Sequence, residues 1–284
     1  MIPAQFDYVA PATVEEAVTA LAQGGEDAKV LAGGQSLLPV LRMRMADPGL
    51  LVDLGRIEEL RGVQEDGDAV VIGAMTTHHD VIRDPLVNQH LPLLALATRT
   101  VADPQVRHRG TFGGSLAHAD PAGDLPAPVL ALDGEMVIAG PQGRRTVAAA
   151  DFFLDYFTTA LQPGELLVQI RMPKWTGWRA HYEKFNRVAQ AWSIVGVAAA
   201  VRVEQGAIAE ARIGLTNMGP TPVRATAVEQ ALVGQPATAE SVRAAAARAA
   251  EGTSPTADAS ADVDYRRHLA EVLTGRAVLA AAGS

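Results

Sequence analysis

The sequence predicts an α+β fold in three lobes, on three observations. Short apolar strand signals alternate with one-faced helical signals over residues 1–55. Strand signals with few long helices fill residues 56–176. A strand pair followed by helices closes the chain over residues 177–284, the pattern of an α+β unit.

Phe6 to Val9 reads as an entry strand. Thr13-Val14-Glu15-Glu16 is a capping box, and Val14, Ala17, Val18, Leu21 and Ala22 recur at helical spacing behind it. Gly24-Gly25 stops that helix. Lys29 to Ala32 is a short strand, Ser36 to Met45 a helix or turn broken by Pro39, and Leu50 to Leu54 a strand. In the middle lobe Val70 to Ala74 is a strand, Pro92 to Thr100 a helix and Pro126 to Leu132 a short helix. Glu135 to Ala139 and Arg144 to Val147 flank a hairpin turn at Pro141-Gln142-Gly143. Ala150 to Phe153 is a turn, and Glu165 to Met172 an alternating strand. Composition changes at Trp175 to Trp178. Beyond it Ile194 to Val203 and Ala207 to Leu215 form a hairpin, and Pro222 to Val233, Thr238 to Glu251 and Ala261 to Ala282 read as helices.

Bulk properties exclude several functions. The 284 residues are 48% hydrophobic but only 5% aromatic, so the core is aliphatic and alanine-rich. A formal charge of −8 argues against nucleic acid, whose phosphates need a basic patch. No apolar run reaches the roughly 18 residues of a membrane span. Met1 to Tyr8 lacks the basic and apolar regions of a secretory signal, so the expected compartment is the cytoplasm. There is no cysteine, which excludes disulfides, thiol nucleophiles and any iron–sulfur cluster held by this chain.

Two side-chain-poor stretches stand out. The first is Ala32-Gly33-Gly34-Gln35-Ser36-Leu37. The second is Arg109-Gly110-Thr111-Phe112-Gly113-Gly114-Ser115, continued from Ala117 through Asp120 to Asp124. Glycines let the backbone approach a ligand, and consecutive exposed N–H groups make an anion nest. Read singly, each is also an ordinary glycine-rich turn. Together they suit two phosphates of one dinucleotide. Neither has the G-x-G-x-x-G spacing of a Rossmann fingerprint, and no P-loop lysine is present.

These two stretches resemble those of the FAD-binding medium subunits of molybdenum hydroxylases, the carbon monoxide dehydrogenase medium-subunit family. The resemblance runs from Phe6 to about Ala281. It implies a two-lobed FAD-binding domain of the PCMH or vanillyl-alcohol-oxidase type, followed by an α+β C-terminal domain. Carried over by position, Ala32, Gly33, Gly34, Gln35 and Ser36 contact the pyrophosphate and a neighbouring sugar, as do Thr111, Phe112, Gly113, Gly114 and Ser115. Leu37 and Ala117 lie beside them, and Gly110 permits the approach. Asp124 accepts from a cofactor hydroxyl, Leu161 offers a backbone contact, and Lys184 lies near the flavin ring. Lys29 precedes the first loop and joins the candidates. Phe112 stands where the family has isoleucine or leucine, a bulkier choice bearing on flavin packing. Trp192 is either an aromatic near the flavin or a core tryptophan.

The resemblance further implies partners. A large subunit carries a molybdopterin cofactor, a small subunit carries two-iron two-sulfur clusters, and the heterotrimer is usually doubled. Electrons reach the FAD and leave to an external acceptor such as a quinone, NAD or oxygen. The substrate pocket lies on another chain. Two rivals remain: a self-contained FAD oxidoreductase of the same fold, and an assembly module without cofactor. No catalytic residue is assigned within this chain. Ser36 and Ser115 lie outside G-x-S-x-G, and Pro121 and Gly123 make a loop of the Asp120/Asp124 pair. Adjacent His78 and His79 do not share a helix face, so they read as solvent-exposed or capping residues and not as metal ligands.

Overall fold

The computed structural model describes residues 2–283. Three main sheets follow one another along the chain. The first holds β1 (Asp7–Val9), β2 (Ala28–Leu31) and β3 (Leu50–Asp53) in the order β1-β3-β2, all parallel. Parallel neighbours require crossovers, supplied by α1 (Val14–Gly24) and α2 (Leu37–Arg42). The capping box at α1 forms. Thr13 Oγ1 accepts from the Glu16 N–H at 3.2 Å, while Glu16 reaches back to the N–H of Ala12 at 2.8 Å. Pro39 does not break α2 as expected. It sits in the first turn, where a helical N–H has no internal acceptor to lose.

The second sheet contains β4 (Val63–Asp66), β5 (Ala69–Gly73), β6 (Glu135–Gly140), β7 (Gly143–Ala148) and β10 (Leu166–Pro173), in the order β4-β5-β10-β6-β7. It is antiparallel throughout, with Ile170 opposite Ile72 and Met136. Between β5 and β6 run six short helices: α3 (His78–Arg83), α4 (Pro85–His90), α5 (Pro92–Arg99), α6 (Pro104–Arg107), α7 (Phe112–His118) and α8 (Pro126–Ala131). The stretch around Ala150, expected as a turn, is one turn of helix, α9 (Ala149–Phe152). It leads into the small hairpin β8 (Phe153–Asp155) and β9 (Thr158–Thr159).

The third sheet is β11 (Arg179–Phe185), β12 (Val195–Glu204), β13 (Ala207–Thr216) and β14 (Val223–Arg224), paired in sequence order. Three helices pack on it: α10 (Thr226–Leu232), α11 (Ala239–Ala246) and α12 (Val263–Ala282). The helix expected from Pro222 therefore starts later. Val223 and Arg224 first pair with Leu215 and Gly214 as an edge strand. β12 explains the long apolar run in the sequence. Its side chains alternate, with Val195, Val197, Ala199 and Val201 turned toward the three helices. Ala198 and Ala200 join Tyr182 in the core beneath the second sheet.

Candidate functional site

The two glycine stretches meet. A Cβ on Gly33 would lie 2.3 Å from the carbonyl oxygen of Arg109 and 2.7 Å from Cα of Gly110. A Cβ on Gly114 would lie 3.3 Å from that of Ala32. Only glycine allows two backbones to pass so closely.

The first bend leaves β2 at Leu31 and enters α2 at Leu37. Gly34 has φ +73°, a left-handed conformation that an L side chain rarely adopts. The amide of Gln35 folds back and donates to the Gly33 carbonyl at 3.1 Å. Among the described residues, the backbone N–H groups of Gly33, Gly34, Gln35 and Ser36 find no acceptor in the chain. Such a row of N–H groups suits an anion. Leu37 is half-buried behind them, and Lys29 is exposed on β2.

The second bend differs from expectation. Its N–H groups do not form an open row. The Phe112 N–H donates to Thr76, and that of Gly113 to Ala74, both at 2.9 Å. The Gly114 N–H is taken by Thr111 Oγ1 at 3.2 Å, and that of Ser115 by the Thr111 carbonyl at 3.1 Å. Thr111 is the N-cap of α7, so the glycines form its first turn. Gly113 is demanded by the fold itself, since a Cβ there would lie 2.4 Å from Cβ of Ala74. The Phe112 ring is fully buried in the core, so its bulk is spent on packing there. Ser115 and Ala117 remain half-exposed along α7.

His78 is not the exposed or capping residue expected. Thr77 caps α3, and the His78 ring is buried against Gly110. Its N–H donates to the Gly110 carbonyl at 2.9 Å, while its ring Nδ1 has no partner. Burial, with Arg107 adding to it, lowers its pKa to about 4, so the ring is neutral at pH 7. His79 is half-buried and stacks on His108 with ring centroids 3.9 Å apart.

Asp124 and Lys184 form a buried ion pair at 2.7 Å. The Asp124 carboxylate also accepts from Tyr182 at 2.9 Å and Ser193 at 2.8 Å. It thus accepts three of the roughly four hydrogen bonds a carboxylate can take. Burial pushes the Asp124 carboxyl upward, and Lys184, Ser193 and Tyr182 oppose that rise. Lys184 also donates to the carbonyl of Thr100 at 3.1 Å, which ties β11 to the end of α5. Tyr182 and Ser193 were absent from the sequence candidates. Tyr182 carried a signal, because it lies two residues from Lys184 on the same strand face. Leu161 is half-buried, and its N–H already donates to Thr159 at 3.3 Å. Trp192 is no core residue: it is 56% exposed, on the loop between β11 and β12.

The donor set suits a diphosphate cofactor. The first bend offers unpaired N–H groups, and the second is pressed against it without a side chain between them.

Comparison with known proteins agrees. Residues 4–175 match the model of the FAD binding domain in molybdopterin dehydrogenase. Residues 180–281 match the CO dehydrogenase flavoprotein C-terminal domain. The chain is 46% identical to the carbon monoxide dehydrogenase medium chain of Hydrogenophaga pseudoflava, over 99% of this chain and 98% of that one. It is 37% identical to the 6-hydroxypseudooxynicotine dehydrogenase complex subunit alpha of Paenarthrobacter nicotinovorans, covering 97% and 94%. Among solved structures, a carbon monoxide dehydrogenase from Hydrogenophaga pseudoflava superposes with a TM-score of 0.96 at 48% identity, covering 99% and 98%. Quinoline 2-oxidoreductase from Pseudomonas putida 86 superposes at 0.95 with 35% identity, covering 100% and 99%.

Proposed function

The chain belongs to the FAD-binding medium-chain subunits of the CO dehydrogenase/xanthine-oxidase family of molybdenum hydroxylases, and from that premise we propose how it works. Its role is electron transfer in a heteromeric oxidoreductase. FAD, when bound, supplies the redox chemistry. Electrons come from two-iron two-sulfur clusters on a small subunit, after substrate oxidation at a molybdopterin site on a large subunit. They leave to an external acceptor. The working assembly is a dimer of heterotrimers in the cytoplasm. We assign residues 1–55 and 56–176 as the two FAD-binding lobes and residues 177–284 as the C-terminal domain.

Each part of the chain has a task in this reading. The N–H groups of Gly33 to Ser36 would hold the pyrophosphate by donating to its oxygens, their dipoles stabilising its charge. The second bend is held rigid by its own hydrogen bonds, Thr111 Oγ1 among their acceptors, and would offer the half-exposed Ser115 hydroxyl. Lys184, held by Asp124 and the Thr100 carbonyl, would lie near the flavin ring if the family position carries over. The relatives are named for substrates as unlike as carbon monoxide and 6-hydroxypseudooxynicotine, so substrate choice belongs to another subunit.

The single observation that carries the reading is the row of unpaired N–H groups in the first bend, pressed against the second. The test is co-expression with the partner subunits, followed by flavin, iron and molybdenum analysis of the purified complex. One flavin per copy of this chain, reduced on adding substrate, is the expected result. A colourless complex, or a flavin that stays oxidised while the clusters are reduced, would refute it.

A further inference from the structure

An open depression of about 370 Å³ lies among α3, α5 and α6, and none of the candidate flavin residues lines it. Arg83, Arg99 and Arg107 converge on it. Arg99 donates to the amide oxygen of Asn88, and Arg107 to the carbonyls of Val101 and Ala102. Among the described residues, none of the three forms an ion pair with a carboxylate. The three acids on or capping the same elements are engaged elsewhere: Asp80 with Thr77, Asp84 with the N–H groups of Leu86 and Val87, and Asp103 with the Val106 N–H and Gln190. Three guanidinium groups are thus gathered without counter-charge on a chain whose net charge is −8.

The rest of the lining is flat. His79 and His108 stack with ring planes 24° apart, and Ile82 and Pro104 add apolar surface. We infer that this depression is a second anion site, which takes a free nucleotide distinct from the flavin. Its volume lies within the roughly 300–1,000 Å³ of small-molecule pockets. Planar guanidinium forks match phosphate oxygens in pairs. A single carboxylate would occupy one fork, whereas a diphosphate has oxygens for three. The imidazole stack and Pro104 offer a face to a heterocycle. The inference stands on this cluster alone and does not need the flavin reading.

The test uses the full chain saturated with FAD, with ADP as the probe, followed by calorimetry and flavin absorbance. One ADP binds per chain, inorganic pyrophosphate competes, and the flavin spectrum does not change. Arg83→Glu and Arg99→Glu change exposed side chains, so they keep the thermal midpoint and flavin content. Each weakens ADP by about tenfold or more, the loss expected when a charge-assisted pair becomes a repulsion. The inference is overturned if ADP does not bind, if both variants bind it at full strength, or if its binding releases flavin. Adenosine binding as tightly as ADP would overturn it as well, because the arginines would then be idle. Poly-glutamate competing as well as pyrophosphate would reassign the surface to an acidic protein segment and equally end it.

Discussion

The two glycine bends are spelled with similar letters and use their backbones in opposite ways. Gly33 to Ser36 leave their N–H groups without acceptors, whereas Phe112 to Ser115 give theirs to Thr76, Ala74 and Thr111. The first bend is shaped for something outside the chain. The second is shaped mostly by the chain, because Ala74 leaves Gly113 no room for a Cβ. A glycine-rich sequence therefore marks a close approach without saying what approaches.

Substitutions separate the two bends. Gly113→Ala carries the largest expected cost. The new Cβ meets backbone as well as Cβ of Ala74, so the destabilisation reaches about 3 kcal/mol or more, read as a lower denaturant midpoint. An unchanged midpoint would mean that the second bend is not clamped. Lowering the pH strains the same bend. His78 is neutral in the fold with a pKa near 4, while in the unfolded chain it takes up a proton near its ordinary 6.5. The unfolded state then binds more protons, so stability falls as pH drops from about 6.5 toward 4, by up to about 3 kcal/mol. His78→Leu should flatten that slope; a wild-type slope in the variant would assign the effect to other groups.

Gly33→Ala addresses the contact between the bends. The chain must part from the Arg109 carbonyl, which costs stability too, and FAD affinity measured on the folded protein should fall by about 100-fold, roughly 2.7 kcal/mol. Equal flavin affinity would show that the first bend is not the grip. Thr111→Ala is the mildest. It removes the cap of α7 and should cost about 1 kcal/mol by thermal melting.

Much of this architecture is local and so was legible in the sequence. The Thr13–Glu16 box starts α1, and the β12–β13 hairpin follows its apolar run. What stayed hidden depends on partners far along the chain. The burial of His78 is set by Gly110, and the setting of Asp124 by Tyr182, Lys184 and Ser193. Nothing near either residue encodes those neighbours. Two-residue β14 is too short for any periodicity, and Pro39 misleads unless its place in the turn is known.

The two-faced strand β12 has a practical corollary. Anyone trimming this polypeptide to its front portion for study would uncover the side of the front core that Ala198 and Ala200 had kept dry. Such a fragment should clump in solution unless that wall were redesigned with polar groups.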